Sequence, residues 1–155
     1  MTYSTDNDFI EPSIQNVGEI RYYLFWRRPV YRLTEDYWFE WGKSRKRLFI
    51  KRGIEYDLAS TPIGSEIVGF PSNGVSDAAS MVHDMFCRNN YNLIPGCFEY
   101  ETQNKDGGWD KDLTRWRGRE VNALYEHMCA LAGMSRMKAL VEACAITVYN
   151  LPKGL

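Results

Sequence analysis

Two histidines, His83 and His127, are the only imidazoles in this chain of 155 residues. His83 is followed at once by Asp84 and four residues later by Cys87. A His–Asp pair suits general acid–base work or metal ligation. Neighbouring helix residues diverge by about 100°, so His83 and Asp84 alone do not chelate one ion. Asp57, which closes a stretch of strand character, is the natural third member. Asp57, His83 and Asp84 are therefore the metal-ligand candidates, for one divalent ion at most. Ser60 stands three residues after Asp57 and is a candidate helper or nucleophile, with His83 as its base. Arg117 and Glu120, three apart on a later helix, would add an anion anchor and a further carboxylate. Each feature also has a plainer explanation. Asp57 and Ser60 suit a turn that bonds its own backbone amides. His83 suits a hydrogen-bonded core residue, and Arg117 with Glu120 a helix ion pair worth a few tenths of a kcal/mol. The six-residue cluster is thus either catalytic or a brace for the fold.

Other chemistries are excluded more firmly. Two histidines are too few for a His-rich di-metal centre. No G-x-x-x-x-G-K phosphate loop and no G-x-S-x-G elbow is present. Cys87, Cys97, Cys129 and Cys144 form no C-x-x-C pair, which argues against a zinc finger or a thioredoxin-type site. Cys129 and Cys144 are expected as small fillers in helix faces, and a Cys87–Cys97 bridge stays open.

The elements that must position these residues follow from pattern. Residues 1–19 are polar and aperiodic, and are expected to form an arm held by a neighbouring surface. Residues 20–57 are rich in aromatic and branched side chains, broken by Pro29 and by turns near Thr34 and Gly42. They read as an antiparallel meander of three to four strands. Residues 57–75, with two prolines and three glycines, read as a loop. Three helices are expected after it. The first is capped by Ser76 and runs to about Asn89, with Ala79, Val82 and Phe86 inward. Residues 90–111 read as an insertion loop. The second helix is expected from Asp112 to just before Gly133, and the third after Ser135, stopped by Pro152. The fold class is then α+β: a single domain over residues 20–155, with an N-terminal meander packed on about three C-terminal helices in residues 76–150.

Composition bounds the function. At 45% apolar and 25% charged the chain is neither disordered nor fibrous. Net charge is −1, so bulk charge implies no polyanionic partner. The distribution is uneven: residues 21–52 hold ten cations against Glu35, Asp36 and Glu40, a local +7 that leaves −8 elsewhere. The cations alternate with aromatics, a pattern shared by single-strand nucleic-acid platforms and by ordinary half-buried sheets. The acidic start is no signal peptide, and no apolar run approaches membrane-helix length. Synthesis in a bacterial host cytoplasm without export is expected.

These pieces in this order resemble the DUF1353 family of small phage and prophage proteins. The matching stretches are Gly53 with Asp57, Ala59, Ser60 and Pro62, then His83 with Asp84, Arg117 with Glu120, and Gly133 with Met134. They span about residues 30–150. Ile54 stands where the family usually has Phe, and Glu120 stands at or beside the family's helix Asp. The family has no established activity, so the resemblance implies a setting: a phage genome, near tail or lysis genes. Two functions suit that setting. One is a virion protein of tail, neck or capsid, meeting other virion proteins or its own kind through the arm and residues 90–111. The other is a small metal-assisted hydrolase using the polar cluster. A nucleic-acid accessory using the basic sheet is the weaker third. The first predicts a sealed, mutually satisfied cluster, and the second an open cleft.

Overall fold

A computed structural model describes residues 1–22, 26–57, 76–90 and 92–134. The expected meander is replaced by eight strands in two sheets, with two helices among the described residues. The third expected helix and most of the 57–75 loop lie outside the described residues. The chain remains α+β, but it is far richer in β-structure than its sequence suggests.

The larger sheet has five strands in the order β1 (Thr2–Thr5), β4 (Tyr37–Trp41), β5 (Lys46–Ile50), β7 (Phe98–Gln103), β8 (Trp109–Lys111). The second has three, in the order β2 (Ile14–Tyr22), β3 (Trp26–Leu33), β6 (Glu55–Asp57). Helices α1 (Asp77–Arg88) and α2 (Gly118–Leu131) share one core with the large sheet.

Alternation builds that core. Tyr37 and Phe39 on β4, Leu48 and Ile50 on β5, and Phe98 and Tyr100 on β7 all face inward and are buried. Phe86 of α1 meets Phe98 and Tyr100 with ring centroids at 4.8 and 5.8 Å. From α2, Val121, Leu124, Tyr125 and Met128 complete the same cluster.

Three expectations fail for identifiable reasons. The arm supplies β1 and much of β2. Strand β1 lies parallel to β4, Tyr3 opposite Trp38, which the long intervening β2–β3 ribbon permits. Its inward residue is Ser4, whose Oγ accepts the Ile10 N–H at 2.9 Å, so no apolar alternation announces it. Residues 90–111 supply β7 and β8, closed by a turn in which Asn104 Oδ1 accepts the Asp106 and Gly108 amides. Gly107 there has φ +87°, a conformation that suits glycine. Helix α2 starts at Gly118 instead of Asp112, because Asp112 Oδ1 accepts the Thr114 N–H in a tight turn. Helix α1 agrees with its pattern, and Ser76 Oγ accepts the Ala79 N–H at 3.1 Å.

Among the described residues no helix is long and apolar enough to cross a membrane.

Candidate functional site

His83 lies in the middle of α1 and is 2% exposed. Its Nε2 stands 3.3 Å from Asn122 Oδ1 of α2. The Tyr125 ring meets it edge-on, centroids 5.3 Å apart. Burial lowers its pKa to about 4, with the Asn122 contact acting weakly the other way. At neutral pH it is an uncharged ring that joins the two helices. Because Asn122 Oδ1 can only accept, Nε2 carries the proton in this pair and Nδ1 is left as the acceptor.

Cys87 lies one turn on, its sulfur 3.5 Å from Nδ1 and 3.9 Å from Nε2. Cysteine, histidine and asparagine in that sequence of contacts suggest a nucleophile, base and orienter. The two distances are nearly equal, so the sulfur sits over the ring and not on the Nδ1 lone-pair axis. The arrangement packs a thiol on an imidazole and does not align a proton transfer. Cys97 carries a free thiol, so Cys87 and Cys97 do not bridge.

The other sequence candidates scatter. Asp84 turns away from His83 and pairs with Arg88 Nε at 2.8 Å, and Arg88 Nη1 also reaches the Glu55 carbonyl at 2.6 Å. Arg117 is the exposed N-cap of α2, where its own N–H donates to Glu120 Oε2 at 2.7 Å. That pair closes a helix end and does not meet His83 through any hydrogen bond among the described residues. Asp57 ends β6 opposite Val30. Its side chain, and all of Ser60, lie outside the described residues. Among the described residues no group of three or more His, Cys, Asp or Glu side chains could hold a metal ion.

Sequence reasoning missed two residues that matter. Asn122, two positions after Glu120, is the α2 residue that pairs with the His83 ring nitrogen. Its signal was its spacing of three before the inward Tyr125. Glu11, assigned to the arm, accepts the Ala78 N–H at 2.7 Å and so caps α1 from a distant segment. Burial raises its pKa, and that of Asp77 beside it. His127 binds Asp6 Oδ1 at 2.7 Å and stacks on Trp41, tying the N-terminal segment to α2 as well.

One further polar group stands at the contact between α1 and β6. Tyr56 Oη and Ser80 Oγ are buried and, among the described residues, have no hydrogen-bond partner. Ser80 lies three residues after Asp77 and four before Asp84, so the three share a helix face. The charges of Asp77, Glu11 and Asp84, with burial as the larger cause, push the Tyr56 hydroxyl pKa well up.

Fold and site together define an α+β domain whose inward histidine is a neutral, hydrogen-bonded core group. The chain belongs to the family described as protein of unknown function (DUF1353), whose model matches residues 31–146. No curated protein and no solved structure matches it.

Proposed function

We propose that the protein is a structural component of a bacteriophage virion, in tail, neck or capsid, held in place by neighbouring subunits. One observation carries this reading: His83 is sealed, neutral and satisfied by Asn122, as a bracing residue should be. The phage setting comes from the resemblance to DUF1353 proteins. The surface offered to neighbours is the β2–β3 ribbon, since β1 and residues 98–111 are committed to the larger sheet. Mass spectrometry of gradient-purified virions tests the idea. The protein should be present at a stoichiometry comparable to other minor virion proteins. Abundance in infected cells with absence from virions would overturn it.

A second reading, a small metal-assisted hydrolase, is favoured by the two orphan hydroxyls of Tyr56 and Ser80 beside Asp77 and Asp84. Oxygen donors of this kind suit a hard divalent cation. Elemental analysis of untagged protein checks this reading. Stoichiometric metal that is lost in Ser80→Ala and Asp84→Asn would support it, and metal retained in both variants would reject this site.

A further inference from the structure

The N-terminal segment is fastened at two ends by different chemistry. At one end β1 pairs with β4, and the buried Ser4 holds the returning chain by accepting the Ile10 N–H at 2.9 Å. At the other end the fastening is a charge. Glu11 is exposed as a whole residue, yet its carboxylate is drawn against the start of α1. There Oε2 accepts the Ala78 N–H at 2.7 Å, and the Asp77 N–H and the Ser76 hydroxyl also donate to the carboxylate.

The groups that face this carboxylate carry no positive charge. Helix α1 brings Asp77, half-buried, whose carboxylate makes no hydrogen bond or ion pair among the described residues. Strand β6 brings Tyr56 and β4 brings Tyr37, two buried phenols that feel the Glu11 charge. Asp84, farther along α1, adds its charge at Tyr56 and is itself paired with Arg88. No cation acts on Glu11 or on Asp77. The helix N-terminus offsets part of the negative charge through its amides. What remains is two carboxylates side by side in partly dry surroundings, and like charges so placed drive one of them to take a proton. Burial acts on both in the same direction, holding each carboxyl above the usual carboxylate range. Tyr56 Oη is a separate sign of the same lack. It is fully buried and has no hydrogen-bond partner among the described residues, and a carboxyl that gains a proton gains a donor that a phenol oxygen can accept.

We propose that residues 1–11 form a proton-tightened strap: docking of Glu11 beside Asp77 takes up one proton, so mild acid holds the segment down and neutral pH loosens it. When the strap lifts, the edge of β4 and the first turn of α1 are uncovered. The remaining polar contacts of the segment lie away from this corner: the Met1 amine with Glu35, the Tyr3 hydroxyl with Glu40, and Asp6 with His127 at 2.7 Å. The last of these strengthens when the histidine is charged, so a variant must separate it from Glu11. The strap is independent of the virion role, and neither one's failure removes the other.

Hydrogen exchange of the full chain between pH ~5 and ~7.5, corrected for the intrinsic pH dependence of amide exchange, reads the strap at the Thr5 and Ile10 amides. Both should exchange faster than the amides of the α2 core at every pH, because they open locally. Their protection should rise as pH falls, by no more than about tenfold per pH unit, the limit for one proton. Glu11→Gln keeps an oxygen acceptor and drops the charge, so it should flatten the rise and hold protection at its acid level throughout. Asp77→Asn should raise protection at neutral pH, and His127→Gln should keep a rise. Circular dichroism establishes that each variant is folded. Flat or falling protection in the wild type, an undiminished rise in Glu11→Gln, a rise lost in His127→Gln alone, or exchange of the strap at the rate of the core would each overturn the proposal. So would manganese(II) alone restoring full protection at neutral pH in the wild type and not in Glu11→Gln, since the cluster would then be filled by a metal ion and not by a proton.

Discussion

At the scale of single residues, His83 makes the sharpest demand on experiment. Its folded pKa of about 4 lies below the ordinary histidine value, so the unfolded chain binds the proton more readily. Its contribution is complete above about pH 6.5 and is lost as pH falls toward about 4. Stability should drop by roughly 2 kcal/mol between pH ~7 and ~5 from this residue alone. Glu11 and Asp77 act in the opposite sense, because their raised values let the folded state take up protons first. Urea unfolding of wild type and His83→Gln across that range isolates the histidine. The variant's curve should lack the acid-side loss, and parallel curves would contradict the assignment. Asn122→Asp should raise the His83 pKa by placing a carboxylate at 3.3 Å from Nε2. The shift is readable from the ring resonances by NMR, and an unchanged value would mean the two side chains do not pair in solution. The sequence marked His83 as inward but placed its partner two residues early. Asn122 lies three before the inward Tyr125 and so on its face, whereas Glu120 lies about 200° away from Asn122 and closes the helix end instead. Asp84 and Arg117 take nearer partners, an i, i+4 neighbour and a helix end.

At the scale of elements, the N-terminal segment acts as a tie and not as a loose arm. It adds β1 to the sheet edge, offers the Ile10 carbonyl to the Tyr37 hydroxyl at 3.0 Å, and ends with Glu11 over the start of α1. Glu11→Ala should cost about 1 kcal/mol, the usual value of a lost helix cap. Thermal melts of that variant beside wild type make the comparison, and equal melting points would refute the cap. Phe86→Ala, which empties the contact of α1 with β7, should cost about 3–5 kcal/mol by equilibrium unfolding. A cost below 1 kcal/mol would mean that α1 does not pack there. Legibility varied by element for physical reasons. Helix α1 was readable because cap and apolar stripe coincide. Strand β7 also carried a signal, with Phe98 and Tyr100 inward between Glu99 and Glu101. The surrounding Pro95, Gly96, Gly107 and Gly108 outweighed it. Strand β1 carried none, since an edge strand whose inward residue is a serine has no apolar period to read.

At the scale of the whole molecule, folding partly offsets the separation of charge along the chain. The cation-rich stretch of residues 21–52 is +7 in sequence, but three of its cations meet acids brought from elsewhere. Arg32 pairs with Glu55 at 2.6 Å, Arg47 with Glu101, and Lys46 with Asp112 at 3.9 Å. Arg47 also stacks between the indoles of Trp38 and Trp109, at 4.9 and 4.5 Å from the ring centroids. Such stacking uses the aromatic faces that a nucleic-acid platform would need to leave open. The basic aromatic pattern is therefore better explained on this part of the surface as a self-satisfied outer sheet face. Most of these pairs are partly exposed, and exposed pairs are worth about 0–1 kcal/mol each. Raising salt should accordingly lower the unfolding free energy by no more than about 1–2 kcal/mol, while Arg47→Ala should cost more than that screening does, because it removes two cation–π contacts together with the pair. Denaturant titrations of wild type and Arg47→Ala at low and high salt settle the comparison. A wild-type loss in salt larger than the cost of the variant would mean that long-range charge, and not local stacking, holds the sheet face together.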